Sequence, residues 1–155
     1  MQLTRAADYA IRVMTHLAGL PSGSRVSRSV LATATSVPDS FLSKVLQALA
    51  RAQLVESRRG PDGGFELTAD VQQLSLLEVV EAIDGPIRLN ACLNSGGSCE
   101  RQTWCSVRPV WQRSQDAMLD VLRSTTISEL AKQAAINQAS LGSDRQSGAK
   151  ASDLS

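Results

Sequence analysis

The stretch DSFLSKVLQALARAQLVESRRGPDGGFELT, residues 39–68, decides how this chain folds. Over 39–52 it sets Leu42, Val45, Leu46 and Leu49 at helical spacing as one apolar stripe, with Ser40, Ser43, Lys44, Gln47 and Arg51 away from it. This predicts a helix with a polar, basic outer face. Two extended runs follow, Leu54 to Arg58 and Phe65 to Thr68, flanking Gly60-Pro61-Asp62-Gly63-Gly64. Such a glycine-rich joint predicts a β-hairpin, with Arg58 and Arg59 leading into its tip.

Upstream, Ala6, Ala10, Val13, Met14 and Leu17 recur at three and four, which predicts a helix over 4–19 with Thr4 as its N-cap. A second short helix is expected over 27–35, broken by Ser36-Val37-Pro38 because the residue before proline avoids the helical region. Short helix, turn, longer helix and basic hairpin describe a winged helix-turn-helix, whose longer helix can enter a major groove while the hairpin reaches the backbone or minor groove beside it. The alternative is a small α+β domain whose polar helix face is merely solvated. Charge is asymmetric: residues 1–60 hold eight Lys/Arg against three Asp/Glu, and residues 61–155 eight against twelve. A basic amino-terminal half offers an electrostatic footprint for a polyanion.

Downstream, Ser75 to Glu78 forms a capping box that opens a helix continued by Leu76, Val79, Val80 and Ile83 and stopped by Asp84-Gly85-Pro86. A loop containing Ser95 and Gly96-Gly97 comes next. From Val107, the residues Val110, Trp111, Ala117, Met118, Val121 and Leu122 predict one apolar face on a helix of four or five turns, more than a small domain needs, and so expected to pair with a copy of itself. A second capping box, Thr126 to Glu129, starts a last short helix. Beyond about residue 136 the composition turns polar and reads as a disordered tail. The expected organisation is therefore 1–85 winged helix-turn-helix, 86–106 loop, 107–135 dimerisation helix with a short helix after it, and 136–155 tail.

All three cysteines lie in CLNSGGSCERQTWC, residues 92–105, with gaps of six and five. Arg5, Asp8 and Arg12 argue against a signal peptide, and no run of eighteen uncharged apolar residues suggests a membrane span, so a cytoplasmic chain is expected. In that compartment an odd, close-set trio of thiols points to a metal or redox site rather than a structural disulfide. Structural zinc favours closely spaced cysteine pairs and four protein ligands, so the wider gaps lean towards an iron-sulfur cluster, with redox thiols or buried small residues as alternatives. His16, the only histidine, falls off the core stripe of the first helix. Asp8 sits four residues before Arg12, the spacing of a helical ion pair. With no Rossmann fingerprint, P-loop or HExxH pair, the chain does not read as an enzyme.

Taken in order, the opening MQLTRAADYAIR, the helix DSFLSKVLQALARAQLV, the wing RRGPDGGFEL, the helix LLEVVEAIDG and the three cysteines ahead of a long helix resemble the bacterial winged-helix iron-sulfur transcriptional regulators, the family that includes IscR and NsrR. The resemblance covers roughly residues 1–135. It implies a homodimer on double-stranded DNA, most simply a repressor, whose operator affinity follows a 4Fe-4S or 2Fe-2S cluster sensing nitric oxide, oxygen or redox state, or iron supply. It implies groove contacts from Ser40, Ser43 and Lys44, with Gln47 and Arg51 further along the same face, and from the wing at Arg58 and Arg59. Cys92, Cys99 and Cys105 match the cluster thiolates, and Asp8 of the partner subunit matches the aspartate that NsrR-like members use as a further ligand.

The chain also departs from the family pattern. Arg108 stands where IscR-like members carry a ligating histidine, so imidazole ligation is excluded at that position. The first gap is six residues where the closest sensors have five, which leaves the cluster type open. Ser43 replaces a glutamate with which IscR discriminates operator classes, which leaves the operator sequence open. Two alternatives remain: a zinc-bound or metal-free regulator that senses oxidants through its thiols, and a cluster-bearing redox protein, which leaves the basic wing unexplained.

Overall fold

In the computed structural model, which describes residues 3–60, 63–68, 73–93 and 99–149, the elements run α1 (Arg5–Ala18), α2 (Arg28–Thr35), α3 (Asp39–Arg51), β1 (Val55–Arg58), β2 (Gly64–Leu67), α4 (Leu76–Asp84), α5 (Arg108–Ser124) and α6 (Ile127–Ala149). The architecture is mainly α with one small hairpin, a winged helix-turn-helix followed by a long helix, as expected.

Side-chain caps start four of the helices. The Thr4 hydroxyl accepts from the Ala7 amide at 3.2 Å and the Ser27 hydroxyl from Val30 at 3.4 Å. Both capping boxes form. Glu78 donates its amide to the Ser75 hydroxyl at 3.2 Å and accepts from the Ser75 amide at 2.8 Å; Glu129 and Thr126 do the same at 3.2 and 2.9 Å. Hydrogen bonds to the charged form favour it: Ser75, through its side chain and then its amide, holds the Glu78 carboxyl below the usual carboxylate range, and Thr126, amide first, does so for Glu129. The two boxes lie side by side, tied by Leu76 N–H to Thr125 O at 2.8 Å and Ile127 N–H to Leu74 O at 2.9 Å.

The core is the expected one. Ala10, Val13, Met14 and Leu17 of α1 are buried against the Leu42, Val45, Leu46 and Leu49 stripe of α3. Burying each large apolar side chain contributes about 1.5–3 kcal/mol, so this contact fixes how α3 is presented. Ala7, rather than the expected Ala6, extends the buried face of α1, where it meets Leu77 and Val80 of α4. Between α2 and α3 the chain turns at Ser36, whose φ of 54° is left-handed. Pro38 then offers its carbonyl to the amides of Phe41 and Leu42, both at 2.9 Å.

The strands pair antiparallel, Val55 opposite Leu67 and Arg58 opposite Gly64. Val26 adds a third edge through two bonds to Phe65, at 3.0 and 2.9 Å. Backbone conformation explains one glycine of the wing and lack of space the other two. Gly60 has a φ of 118°, a Cβ on Gly63 would lie 2.5 Å from Arg58 O, and one on Gly64 would lie 2.7 Å from Val26 O. Pro61 and Asp62, and the loop residues Ser95, Gly96 and Gly97, lie outside the described residues.

Two expectations for the carboxy-terminal half are corrected. The apolar face of α5 is not wholly free for a second copy: Met118 and Leu122, with Leu119, pack against α4, whereas Val110, Trp111 and Val121 stay exposed. The last helix is not short, because α6 continues to Ala149 through residues expected to form a disordered tail. Its alanines, Leu141 and Gln138 are strong helix formers, a local preference that a reading based on apolar content overlooks.

Candidate nucleic-acid interface and cysteine loop

Burial of one side of α3 turns the other to solvent. Ser40, Lys44, Gln47 and Arg51, spaced four, three and four residues apart, form one exposed stripe, while Ser43 lies half-buried at its edge. Arg51 bends back to donate to the Gln47 carbonyl at 3.3 Å. Lys44 is exposed, with no hydrogen-bond or ion-pair partner among the described residues, and is open to an incoming anion.

In the wing the two arginines differ. Arg58 is held on the hairpin by Glu66 at 3.1 Å and Glu56 at 3.5 Å. Arg25 takes the other Glu66 oxygen at 3.1 Å, so one buried carboxylate clamps the wing to the strand edge before α2. Arg58 therefore braces the wing, a qualification of its expected DNA role, whereas Arg59 is exposed with no partner among the described residues. Sequence reasoning missed Arg25 and Arg28. Arg28 donates to the Ser43 hydroxyl at 3.0 Å and pairs with Asp39 at 3.3 Å, and no local spacing signals a contact fifteen residues apart.

The cysteine loop is anchored to α5. Gln115, a polar side chain only 5% exposed, accepts from the Leu89 amide at 2.9 Å and holds the strand of chain that leads to Cys92. Cys92 lies in a 3-10 turn, Ala91–Leu93, and is half-buried like Cys105; Cys99 is exposed, and all three thiols are free. Arg101 stacks over Trp104 at 5.4 Å between the second and third cysteines. Arg108 opens α5 with a buried Nε that has no partner among the described residues. Asp8 makes the 2.7 Å ion pair with Arg12, both largely exposed.

The donor set suits soft-metal chemistry, since three free thiols share one loop. They are not gathered, however: among the described residues no three His, Cys, Asp or Glu side chains converge as a metal site.

This arrangement of helix-turn-helix, wing and cysteine loop is matched over residues 3–133 by the family model for Rrf2, described as an iron-dependent transcriptional regulator. The chain belongs to the Rrf2 family. An HTH-type transcriptional regulator of Mycobacterium tuberculosis is 33% identical over 131 residues, 84% of this chain and 81% of that protein. IscR of Vibrio campbellii is 30% identical over 146 residues, 94% of this chain and 84% of its own. Among solved structures, CymR, the global cysteine regulator of Bacillus subtilis, superposes with a TM-score of 0.71 at 25% identity, over 86% of this chain and 98% of that one. The Rrf2 fold thus supplies a transcriptional regulator with a winged helix, and among the described residues no helix is long and apolar enough to cross a membrane.

Proposed function

We propose that this Rrf2-family regulator is a cytoplasmic homodimeric repressor that binds double-stranded DNA through α3 and the wing, with affinity set by the state of Cys92, Cys99 and Cys105. The observation that carries the reading is the exposed Ser40, Lys44, Gln47 and Arg51 stripe beside a glycine-built wing bearing an exposed Arg59. A helix of that polarity suits a major groove, and an arginine on an adjoining hairpin suits the backbone or minor groove.

Dimerisation accounts for the part of the apolar face of α5 that α4 leaves uncovered. Val107, Val110, Trp111 and Val121 are each 36–64% exposed on one side of the helix, apolar surface that a second copy would cover. Two recognition helices then address half-sites about one DNA turn, ~34 Å, apart. Because Gln115 ties the cysteine loop to α5, rearrangement of the loop is transmitted to the helix that sets this spacing.

Cys92, Cys99 and Cys105 would hold an iron-sulfur cluster, with Asp8 of the partner subunit as the further ligand in place of its Arg12 pair. Such a group, when bound, supplies a centre that reacts with nitric oxide, oxygen or the loss of iron. Cys99→Ala should bind DNA identically with and without iron and sulfide, whereas the unaltered chain responds; a full response in the variant refutes cluster control. A second reading is favoured by the ungathered, partly exposed free thiols: direct oxidation of the cysteines, without metal. A peroxide-induced, thiol-reversible change in DNA affinity of metal-free protein supports it over the first.

A further inference from the structure

Three features of the helix-turn-helix meet at Arg28. It is the first residue of α2, and its side chain crosses to α3, donating one terminal nitrogen to the Ser43 hydroxyl at 3.0 Å and placing the other 3.3 Å from the Asp39 carboxylate. Ser43 in turn donates towards the Asp39 carbonyl, at 3.4 Å, so its hydroxyl is oriented from both sides. Asp39 and Ser43 are one helical turn apart on the flank of α3 that borders the exposed stripe, and Arg28 remains 53% exposed there.

Asp39 is the only carboxylate in α2 and α3. An acid at the start of a helix that approaches phosphates repels them, and a lysine or a lone arginine would have served non-specific attraction better. A carboxylate in that position costs affinity, but it fixes a planar guanidinium in one orientation. Such fixing matters more for a base edge, which accepts only in its own plane, than for a phosphate, whose oxygens accept from several directions. Held at two nitrogens and 53% exposed, Arg28 still has N–H donors left for a further acceptor.

Building on the DNA-binding reading above, we propose that Arg28, buttressed by Asp39 and Ser43, is a specificity-determining residue that reads a guanine O6/N7 edge at the α2 side of each half-site. Asp39 and Ser43 are positioning residues in this assignment. The partially neutralised pair also means that Arg28 contributes little to sequence-independent attraction, which falls to Lys44 and Arg59.

The test is selection of bound sequences from a random 30-bp duplex library by the full-length chain and by Arg28→Lys, Arg28→Ala and Asp39→Asn, followed by titrations of selected duplexes over a range of salt concentrations. Arg28→Lys should flatten one guanine position of the selected motif, losing about 10- to 100-fold discrimination there, while binding to unselected DNA and the salt slope stay unchanged. Asp39→Asn should raise affinity for unselected DNA and weaken preference at that same position. Arg28 and Asp39 are both exposed, and circular dichroism is the check that each variant is folded. Unchanged motifs, with Arg28→Ala losing affinity uniformly and Arg28→Lys restoring it, would make Arg28 a phosphate contact and overturn the proposal. If the unaltered chain enriches no sequence at all, the DNA-binding reading itself fails and takes this one with it, an outcome that is distinct because it appears before any substitution.

Discussion

Gly64→Ala tests whether close backbone approach, rather than hinge flexibility, explains the glycines of the wing. An added Cβ would lie 2.7 Å from the Val26 carbonyl oxygen and 2.9 Å from its carbon, both backbone atoms that no rotamer change can move. Restoring ordinary contact requires the Val26 segment to retreat by about 0.7 Å, which breaks or badly stretches the pair of bonds it makes with Phe65 at 3.0 and 2.9 Å. At about 0.5–1.5 kcal/mol for each bond, the loss is about 1–3 kcal/mol, offset by about 0.4–1 kcal/mol from the smaller entropy of the unfolded alanine chain. A net destabilisation of about 1–2 kcal/mol should lower the urea midpoint by roughly 1 M for a chain of this size. The control is Gly19→Ala, where a Cβ meets nothing nearer than 3.4 Å and φ is −79°, so the midpoint should stay or rise. An unchanged or higher midpoint for Gly64→Ala would refute the close-approach account.

Other substitutions probe the remaining links. Lys44→Ala should reduce the slope of log affinity against log salt by about one unit, and Arg59→Ala should weaken operator binding; unchanged titrations would remove α3 and the wing from the interface. Gln115→Ala leaves the Leu89 amide unsatisfied and should cost about 1–3 kcal/mol while raising amide exchange in the cysteine loop. Trp111→Asp on the exposed face of α5 should leave a folded monomer by sedimentation, and a persistent dimer would place the interface elsewhere. Ser75→Ala should cost about 1 kcal/mol. Because Ser75 lowers the Glu78 carboxyl below its ordinary 4.5, that contribution is present above this value and lost as pH falls through the lowered one; the variant should lose stability less steeply on that acid side.

The wing and its helices were legible in the chain because their signals are local. Leu42, Val45, Leu46 and Leu49 mark a buried face by spacing alone, Thr4 and Ser75 announce helix starts, and the glycines at 60, 63 and 64 mark a hairpin. What escaped depends on contacts between distant residues. The Arg28 bridge to Ser43, the Arg25 clamp on Glu66 and the buried Gln115 under Leu89 have no periodicity to betray them. The apolar residues of α5 were visible, but only packing against α4 separates Met118 and Leu122 from Val110 and Val121. The cysteines show the opposite limit: their spacing suggests a shared site, whereas gathering them depends on the conformation of the loop.

The most direct measurement is anaerobic purification of the full chain with absorbance, iron and acid-labile sulfide analysis, followed by nitric oxide titration while binding to the DNA upstream of its own gene is recorded. A brown protein whose sulfide and colour disappear in step with a change in DNA affinity is the predicted result. A colourless, sulfide-free protein, or one whose affinity is unmoved as the colour is lost, would contradict cluster control through Cys92, Cys99 and Cys105.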